Sequence, residues 1–511
     1  MRTVTVTEHR NDLNEGTHTY KGKYFPIRSF KGGYCGNLPD DQLDISQAAD
    51  LDNIVLKPGG LGWRTRLGNS KHNSVALNSA ANIQGINYLL QADGDNWLVA
   101  VAGNKFYQAA SFGTTFTDVT GSITITSGAN NKWDLLTFND SIVGFGGGST
   151  SPDAPFIWTG SGNAAALTGS PPSAYGAFTT NNRVFAFRTN ANPSTIYWSI
   201  IGSAADWTGA GSGSAVIGSL SDNQKITAAV VISTNYLLVF KENSTYQMVI
   251  SSSPFPSYTL FDNVGCVGKK AAVNIDGTVY FVTANKRMQS TNGETLQEYS
   301  NSADDLWNSV DTSTLEYTEG FRQKGADYDW LIWIVTISGT KRTIIWDLQN
   351  KCWLRCSTGY KMNTVTRIDT GAVYMGGTDG FIYRPDQAGV YADASEVAPG
   401  TITGYWRTGW MNPGILDQIA QVQKFTLSFK TKASGSITVY YGFDYIADSK
   451  NFTISQVATS TETRSQRSNM LTGRGNVVQF KVQQSSAAID TEVSGILLNG
   501  KVYGQKRISA G

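Results

Sequence analysis

The chain has 511 residues, of which 40% are hydrophobic and 16% charged, so it can bury a large core, and this composition excludes a largely disordered protein. Its 41 basic and 40 acidic residues nearly cancel, which excludes a global field that would attract nucleic acid or anionic lipid. Fifty-three glycines, with many tyrosines, tryptophans and threonines, favour short strands joined by tight turns over helices.

The cysteines and the hydropathy pattern indicate a compartment. The four cysteines are scattered along the chain: Cys35, Cys266, Cys352 and Cys356. They are too few to stabilise a chain of this length by disulfide bonds, which suits a reducing compartment such as a bacterial cytoplasm. No apolar stretch of about 18 residues occurs, and no apolar run follows basic residues at the amino terminus. We therefore expect neither a signal peptide nor a membrane span.

The first 72 residues divide into two segments. Residues 1–25 are polar and without a clear period, and they are interpreted as an amino-terminal arm, either a peripheral strand pair or a disordered tail. Residues 26–72 form an entry segment, in which Asp40 to Asp50 is the best candidate for a short helix. Asn53 to Lys57 is a predicted strand, and the glycines of Pro58-Gly59-Gly60 end it in a turn that allows positive φ.

A repeated unit starts at about residue 83. Each copy contains a few apolar residues, a polar turn, a stronger apolar strand, a second turn and an aromatic-ended strand, and seven copies can be aligned. Successive copies start about 40 to 50 residues apart, a period typical of β-propeller blades, which bury both faces only when neighbours stack around an axis. The sequence predicts a β-propeller of about six or seven blades over residues 73–390; a β-sandwich array or a β-helix is the alternative.

A different pattern follows the propeller. Residues 391–400 are interpreted as a linker, and residues 401–511 contain strands with clean alternation of apolar and polar side chains, such as Lys424 to Lys430 and Ser436 to Tyr441. Such alternation is typical of sheets with one buried and one solvated face. The prediction is a carboxy-terminal β-sandwich of the jelly-roll kind, in a chain that is mainly β.

Catalytic and metal chemistry have little support in the sequence. His9, His18 and His72 all lie in the first 72 residues, which argues against a Ser-His-Asp triad or a multi-histidine metal site in the β-rich body. Cys352 and Cys356 lack a second Cys/His pair nearby, and the glycine-rich stretch from Gly59 is a plain turn, not a phosphate loop. We expect no enzyme, no catalytic or metal-binding residue and no cofactor.

Three further groups of residues have competing interpretations. A propeller glycosidase would use paired carboxylates, but nothing marks a pair among its candidates Asp304, Asp305, Glu316 and Glu319. Aromatic residues could stack on sugars, although core packing is the favoured interpretation for Trp158, Trp198, Trp207, Trp333, Trp346, Trp406 and Trp410. Cations could line a DNA channel or be scattered surface charge: Arg64, Arg66, Arg183, Arg188, Lys269 and Lys270.

The order of several short strings resembles one family. The strings are Phe30-Lys-Gly-Gly, Asn53-Ile-Val-Leu, Arg64-Thr-Arg-Leu-Gly, Arg183-Val-Phe-Ala-Phe before Ile196-Tyr-Trp-Ser, and Leu237-Leu-Val-Phe-Lys-Glu-Asn-Ser-Thr-Tyr. Together they are similar to the tail hub or nozzle proteins of short-tailed bacteriophages, which include packaged-DNA stabilisation proteins. The resemblance covers roughly residues 26–505, and Leu67 stands where the family pattern has proline.

This resemblance implies a structural virion protein. It implies a ring, commonly a hexamer, that joins the tail adaptor below the portal, extends the DNA-ejection channel, retains packaged double-stranded DNA and docks fibres or spikes. The implied location is the virion tail, with assembly in the host cytoplasm. The residues chosen as candidate interface contacts are Arg64, Arg66, Trp406, Arg407 and Trp410. The alternatives are a carbohydrate-binding protein of host recognition and a propeller glycosidase.

Overall fold

The computed structural model describes residues 23–128, 130–219, 222–251, 254–357, 362–368, 371–394, 401–412, 419–431, 435–456, 463–484 and 491–503. This part of the chain is mainly β, as predicted. Its helices are short: one α-helix, Asp304–Asn308, and 3-10 turns at Pro58–Gly60, Leu77–Ser79, Ser300–Ala303 and Thr312–Tyr317. The predicted amino-terminal arm lies outside the described residues except for its last three positions.

Seven antiparallel sheets form the blades of a propeller. Blades 1 to 5 each consist of four strands that follow one another along the chain. Blades 1 and 2 are Ile83–Leu90, Asn96–Ala102, Lys105–Ala110, Thr117–Asp118, and then Lys132–Phe138, Ser141–Gly147, Phe156–Trp158, Ala165–Ala166. Blades 3, 4 and 5 are Ala174–Thr180, Arg183–Thr189, Thr195–Trp198, Gly213–Val216; Ile226–Val231, Tyr236–Lys241, Ser244–Val249, Ser257–Asp262; and Ala272–Ile275, Thr278–Val282, Met288–Thr291, Leu296–Glu298.

Blade 7 closes the ring with a strand from the other end of the propeller. Its first three strands are Met362–Arg367, Val373–Gly377 and Ile382–Arg384, and Ser70–Lys71 supplies the fourth and outermost strand. The first strand of each blade is called its inner strand. The first strand of blade 7 packs against the first strand of blade 1, and each other blade packs against the next in the same way. Closure by a strand that precedes blade 1 joins both ends of the propeller through hydrogen bonds.

Blade 6 extends far beyond four strands. Its own strands are Glu319–Lys324, Asp329–Ile337, Thr340–Asp347 and Cys352–Cys356, and the sheet continues through Gly33–Tyr34, Gln47–Asp52, Gly404–Thr408, Val478–Gln484, Gly435–Phe443 and Lys450–Gln456. A six-stranded sheet covers this extension and contains Lys23–Ile27, Ile54–Leu56, Trp63–Thr65, Ile419–Thr431, Thr463–Met470 and Thr491–Tyr503. The extension and the six-stranded sheet form a β-sandwich.

Aromatic side chains fill the space between the two sheets of the sandwich. The Phe425 ring lies 5.2 Å from that of Phe480 and 5.6 Å from that of Phe452, and the Phe30 ring meets Trp406 edge to face at 5.1 Å. Side chains of Gly435–Phe443 alternate between buried and partly exposed, because one face of this strand meets solvent. Asp329–Ile337 in blade 6 is instead buried almost throughout, since neighbouring blades cover both faces.

The predicted helix from Asp40 to Asp50 is wrong. The Asp44 carboxylate accepts hydrogen bonds from the backbone N–H and hydroxyl of Ser46 at 2.8 and 2.7 Å, which makes a turn there. The chain then enters the strand Gln47–Asp52, which pairs with Gly33–Tyr34 on one side and Gly404–Thr408 on the other. Pairing with strands distant in sequence overrides the weak local helix pattern.

The predicted domain boundaries also need correction. The sandwich is not built from residues 401–511 alone, because five of its strands lie between Lys23 and Thr65. The predicted linker is only partly described, and there it is anchored: the backbone N–H of Ala394 donates to the carbonyl of Asn69 at 3.2 Å, and Asp393 pairs with Arg66. Residues 395–400 lie outside the described range.

Candidate functional site: an ionic cluster at the propeller axis

Several charged side chains meet where the inner strands of the propeller begin. Lys132 and Glu319 are the first residues of the inner strands of blades 2 and 6, and Asp134 is the third residue of the former. Lys269 and Lys270 precede the inner strand of blade 5. Because the inner strands of a propeller surround its axis, residues from the starts of different blades converge at one end of that axis.

Lys132 and Glu319 form a buried ion pair across the axis. Their Nζ and Oε2 atoms lie 3.0 Å apart, and both side chains are 3% exposed. Lys132 also donates to the backbone carbonyl of Asn363 in blade 7. The second oxygen of Glu319 accepts from the Thr364 hydroxyl at 3.1 Å and from the Val365 N–H at 2.9 Å. The pair therefore connects blades 2, 6 and 7.

Asp134 accepts from two lysines. Its carboxylate lies 3.2 Å from Lys269 Nζ and 2.8 Å from Lys270 Nζ, and it also accepts from the Ala177 N–H at 3.1 Å. Lys269 further donates to the backbone carbonyls of Lys132 and Tyr175 at 2.8 and 2.7 Å. This second group connects blades 2 and 3 with the segment before blade 5.

Burial and mutual attraction set opposing pKa shifts in the cluster. Burial lowers the pKa of Lys269 to about 8 although Asp134 opposes the shift, and burial likewise lowers the pKa of Lys132 against the attraction of Glu319. Burial alone would raise the pKa of Asp134, but Lys269 and Lys270 lower it below its usual value. Burial acts to lower the pKa of Lys270, but the attraction of Asp134 and Glu319 outweighs it, and the pKa is raised.

Lys341 lies at the edge of this cluster. It is the second residue of Thr340–Asp347 in blade 6, at the end of the blade where Glu319 begins the inner strand. Burial lowers its pKa to about 8, and the nearby charge of Lys132 lowers it further while Glu319 opposes. The described structure gives its ammonium group no hydrogen-bond or ion-pair partner.

Two buried amides border the cluster. Irregular pairing at Gln84 in blade 1 and at Asn363 in blade 7 interrupts the strand register. Gln84 donates to the carbonyl of Gly128 at 2.9 Å and Asn363 to that of Ile83 at 2.8 Å, while their side-chain oxygens accept from no described protein group. Polar side chains from blades 1, 2, 6 and 7 thus occupy this end of the axis.

The sequence interpretation missed this cluster. The sequence assigns Lys269 and Lys270 to a DNA channel or to scattered surface charge and Glu319 to a glycosidase pair, and it assigns no role to Lys132, Asp134 or Lys341. A signal exists in Lys132-Trp-Asp-Leu-Leu, where charges stand at the start of an otherwise apolar strand. Such charges are expected to be paired when buried, but the sequence does not tell which blade supplies the partner.

The predicted interface residues lie in the sandwich and differ in exposure. Arg66 is 2% exposed and forms a two-pronged ion pair with Asp393, one arm of which measures 2.9 Å, and Trp406 is fully buried. These two side chains have no surface to offer a partner. Arg64 lies 3.7 Å from Asp327 and Arg407 lies 2.7 Å from Asp448, and both keep part of the side chain exposed.

Trp410 is largely buried but lies beneath an exposed side chain. Its ring centre is 5.2 Å from that of Tyr445, which is exposed, and the neighbouring Ile446 is exposed as well. Arg64 lies elsewhere in the sandwich, at a cavity of about 340 Å³ between blade 6 and the sandwich that Lys57, Asp327 and Glu492 also line. The five predicted residues therefore do not form one exposed surface.

The glycosidase carboxylates each have a structural partner. Asp304 pairs with Arg287, Asp305 accepts from the Tyr34 hydroxyl, and Glu316 lies 3.2 Å from Arg188. Glu319 belongs to the axial cluster. Each carboxylate thus already has a cation or hydroxyl partner in this structure.

The remaining candidate groups are mostly buried. The seven tryptophans considered for sugar stacking are at most 9% exposed, in agreement with the favoured core interpretation. Arg183 donates to the carbonyls of Ser199 and Gly211, and Arg188 lies over the Tyr175 ring. All four cysteines are free and buried, and burial raises the pKa of the Cys266 and Cys356 thiols to about 12. Such thiols are inert at neutral pH.

The described residues contain no group of three or more His, Cys, Asp or Glu side chains placed to hold a metal ion. His72 is partly buried between Phe116 and Tyr374, while His9 and His18 lie outside the described range. In the part of the chain that the structure covers, no helix is long and apolar enough to cross a bilayer.

The comparisons with known proteins found similarity among solved structures. No family model matches the chain, and no curated protein matches it. Solved structures that resemble it include YCF48 from Cyanidioschyzon merolae, with 12% identity and a TM-score of 0.39 over 62% of this chain and 98% of that one. Virginiamycin B lyase from Staphylococcus aureus has 12% identity and a TM-score of 0.41, covering 63% and 99% of the two chains. The WD40 propeller domain of Doa1 has the same identity and TM-score, covering 63% and 98%.

Proposed function

We propose that the protein is a structural subunit of the tail of a short-tailed bacteriophage, where copies form the distal hub or nozzle ring around the DNA-ejection channel. The observation that carries this proposal is the unbroken ten-stranded sheet from blade 6 into the sandwich. A shared hydrogen-bonded sheet makes the propeller and the sandwich one stiff body, which suits a wall under load. The order of short strings along the chain, which resembles the tail hub family, supports the same role.

The path of DNA in this proposal lies between subunits. Ion pairs such as Lys132 with Glu319 and buried amides occupy the end of the propeller axis where the inner strands begin. A DNA duplex therefore has no passage along this axis. The channel is instead the central hole of a ring of copies, six in the family that the chain resembles. A near-neutral net charge suits such a wall, because a strongly basic lumen would hold the phosphate backbone.

The proposed partners are further copies of the chain, the tail adaptor, and fibres or spikes docked on the outer flank. Of the predicted contacts, Arg407 and the region above Trp410 keep exposed surface, since Tyr445 and Ile446 stand out there. We assign this end of the sandwich to a contact with a neighbour in the ring or with a fibre.

Electron microscopy and mass measurement of the purified protein test the proposal. Closed rings with a central hole, at a mass of several subunits, are expected over a range of concentrations. Ile446→Asp is expected to weaken ring formation, and Leu90→Asp, at an exposed position in blade 1, serves as the matched control. Thermal unfolding of both variants must match wild type for the comparison to count.

The alternatives give different results in the same preparation. A protein that stays monomeric at every concentration and binds defined glycans on an array would contradict the ring and favour host recognition. Release of reducing sugar from capsule, abolished by Glu316→Gln, would favour a glycosidase. Labelling of intact virions with an antibody against the chain tests its location, and label at the tail tip is the expected result.

A further inference from the structure

A cleft of about 500 Å³ lies between the outer strands of blades 4 and 5. On the blade 5 side, Phe281, Gln289 and Glu298 stand opposite one another on three neighbouring strands and therefore share one face of the sheet. Phe281 packs against Phe240 of blade 4, with ring centres 4.8 Å apart, so this face is turned toward blade 4. Gln289 and Glu298 thus form one wall of the cleft, outside the core contact between the two blades.

Three asparagines give the cleft a neutral, polar rim. Asn263 follows the outermost strand of blade 4, Asn285 lies in the turn between the second and third strands of blade 5, and Asn301 lies in the 3-10 turn after blade 5. All three are exposed, and in the described part of the chain their side-chain amides form no hydrogen bond. Each amide carries both donors and an acceptor. The rim therefore offers hydrogen-bonding groups of both kinds that the fold does not use.

Gln289 contributes a buried acceptor to the same cleft. Its Oε1 atom is buried and accepts from no group among the described residues, while its Nε2 atom donates to Glu298 Oε2 at 3.4 Å. Buried acceptors are nearly always paired in native proteins, and an unpaired one is costly. A ligand hydroxyl in the cleft can donate to this oxygen.

The charges of the cleft disfavour an ionic ligand. Arg287 pairs with Asp304 and lies 3.9 Å from Glu298, so charges of both signs stand close together. An anion would meet Glu298 and a cation would meet Arg287, each at short range. A neutral ligand avoids both repulsions. The cleft has a volume within the range of small-molecule sites, about 300–1,000 Å³.

We propose that this cleft binds a neutral sugar through the amides of Asn285 and Asn301 and the side-chain oxygen of Gln289. Every sugar hydroxyl both donates and accepts, which matches the mixed donors and acceptors of the amide groups. Val264 also lines the cleft and can cover the apolar C–H groups of a sugar ring. The sugar is either a free saccharide or the end of a surface polysaccharide, which share this chemistry. The site lies within one chain and does not rest on the proposed role in a phage tail.

Saturation-transfer NMR with the full chain tests the proposal. The probes are maltose, cellobiose, lactose and diacetylchitobiose as neutral sugars, and triglycine as a peptide of similar size. We expect saturable binding of at least one of the four sugars at millimolar concentration, and none of triglycine. Tighter binding of a longer oligomer of the same sugar would indicate a polysaccharide end, and equal binding would indicate a free saccharide. Absence of saturable binding by all four sugars, or binding of triglycine alone, would overturn the proposal.

Two substitutions, each with a matched control, assign the binding to this cleft. Gln289→Met removes the buried acceptor and is expected to weaken sugar binding at least tenfold; its control is Gln247→Met, at a partly buried glutamine on the third strand of blade 4. Asn285→Ala is expected to weaken binding as well; its control is Asn192→Ala, at an exposed asparagine in the corresponding turn of blade 3. Both controls are expected to bind as wild type does. Unchanged binding in both cleft variants, or equal losses in the controls, would contradict the assignment.

Thermal unfolding separates loss of the site from loss of the fold. Without sugar, Gln289→Met is expected to melt at or above the wild-type temperature, because it removes an unpaired buried oxygen. With sugar, wild type gains stability that this variant does not gain. If Gln289→Met melts below wild type, the exposed Asn285→Ala decides alone, and unchanged sugar binding in that variant would overturn the proposal.

Discussion

Blades 1 to 5 and the sandwich are both built from β-strands, but these strands come together in different ways. Each of the first five blades is a run of four consecutive strands. The sandwich combines strands from residues 23–65 with strands from residues 404–503, and blade 7 is completed by Ser70–Lys71. Consecutive strands leave a readable pattern in the sequence, whereas distant strands pair only once the whole chain has folded.

This difference predicts where the molecule is fragile. A defect in blades 1 to 5 disturbs a sheet whose strands remain neighbours in the chain. A defect at the junction of residues 66–73 with residues 380–394 removes contacts that hold the two ends of the propeller together. We therefore expect larger losses of stability at this junction than in the consecutive blades.

The largest expected effect is the failure of residues 401–511 to fold alone. This fragment lacks the strands Lys23–Ile27, Gln47–Asp52 and Trp63–Thr65, and with them the buried rings of Phe30 and Trp63. Near-ultraviolet circular dichroism is expected to show no ordered aromatic environment. Fusing residues 23–69 to the fragment through a flexible linker is the control and is expected to restore a cooperative transition. Cooperative unfolding of the fragment alone would contradict the mixed composition of the sandwich.

The second expected effect is at Arg66. Arg66→Met leaves Asp393 buried without its cation, and the loss is about 3–5 kcal/mol in the free energy of unfolding measured with denaturant. The double variant Arg66→Met with Asp393→Leu is expected to recover much of that loss. Lys225→Met, in an exposed ion pair with Glu242 next to blade 4, is the matched control, with a loss of about 0–1 kcal/mol. Equal losses of unfolding free energy for Arg66→Met and Lys225→Met would contradict the distinction between a buried and an exposed ion pair.

The third expected effect is at the closure of blade 7. Asn73 accepts from the Ile382 N–H at 2.6 Å and donates to the Gly380 carbonyl at 3.1 Å, all in a buried position. Asn73→Ala leaves the Ile382 N–H unpaired, while the Gly380 carbonyl still accepts from the Leu77 N–H, and we expect a loss of about 1–3 kcal/mol in equilibrium denaturation. Asn274→Ala in blade 5 removes an exposed amide that donates at 2.7 Å and is expected to cost less than about 0.5 kcal/mol. A larger loss of unfolding free energy for Asn274→Ala than for Asn73→Ala would contradict this prediction.

The smallest expected effect is a pH dependence at the same closure. Burial lowers the pKa of His72 below 6.5; hydrogen bonds to the Gly113 and Phe112 carbonyls oppose this, and the charge of Arg384 reinforces it. The unfolded chain then binds a proton more readily than the folded chain, so stability falls as pH drops below about 6.5. The difference in unfolding free energy between pH 7.5 and 5.5 is expected to be smaller in His72→Phe than in wild type. Identical pH dependence would rule out this contribution.

The parts of the fold that could be predicted are those with local signals. The repeat from Ile83 onward, with turns between apolar strands, was sufficient for a propeller of about six or seven blades. The helix predicted from Asp40 to Asp50 failed because its few apolar positions also fit a strand, and the strand had partners at Gly33–Tyr34 and Gly404–Thr408. Arg66 is a predicted interface residue that the structure buries, because its partner Asp393, 327 residues away in the chain, pairs with it.

The sequence by itself determined the class of this protein, because strand periodicity, glycine turns and the spacing of repeats are local properties. Only the tertiary structure decided which strand completes blade 7, how blade 6 becomes one sheet of the sandwich, and which side chains meet at the axis. Lys132 and Glu319 are 187 residues apart in the chain and 3.0 Å apart in space. Such a contact depends on the closure of the whole ring, and no local pattern specifies it.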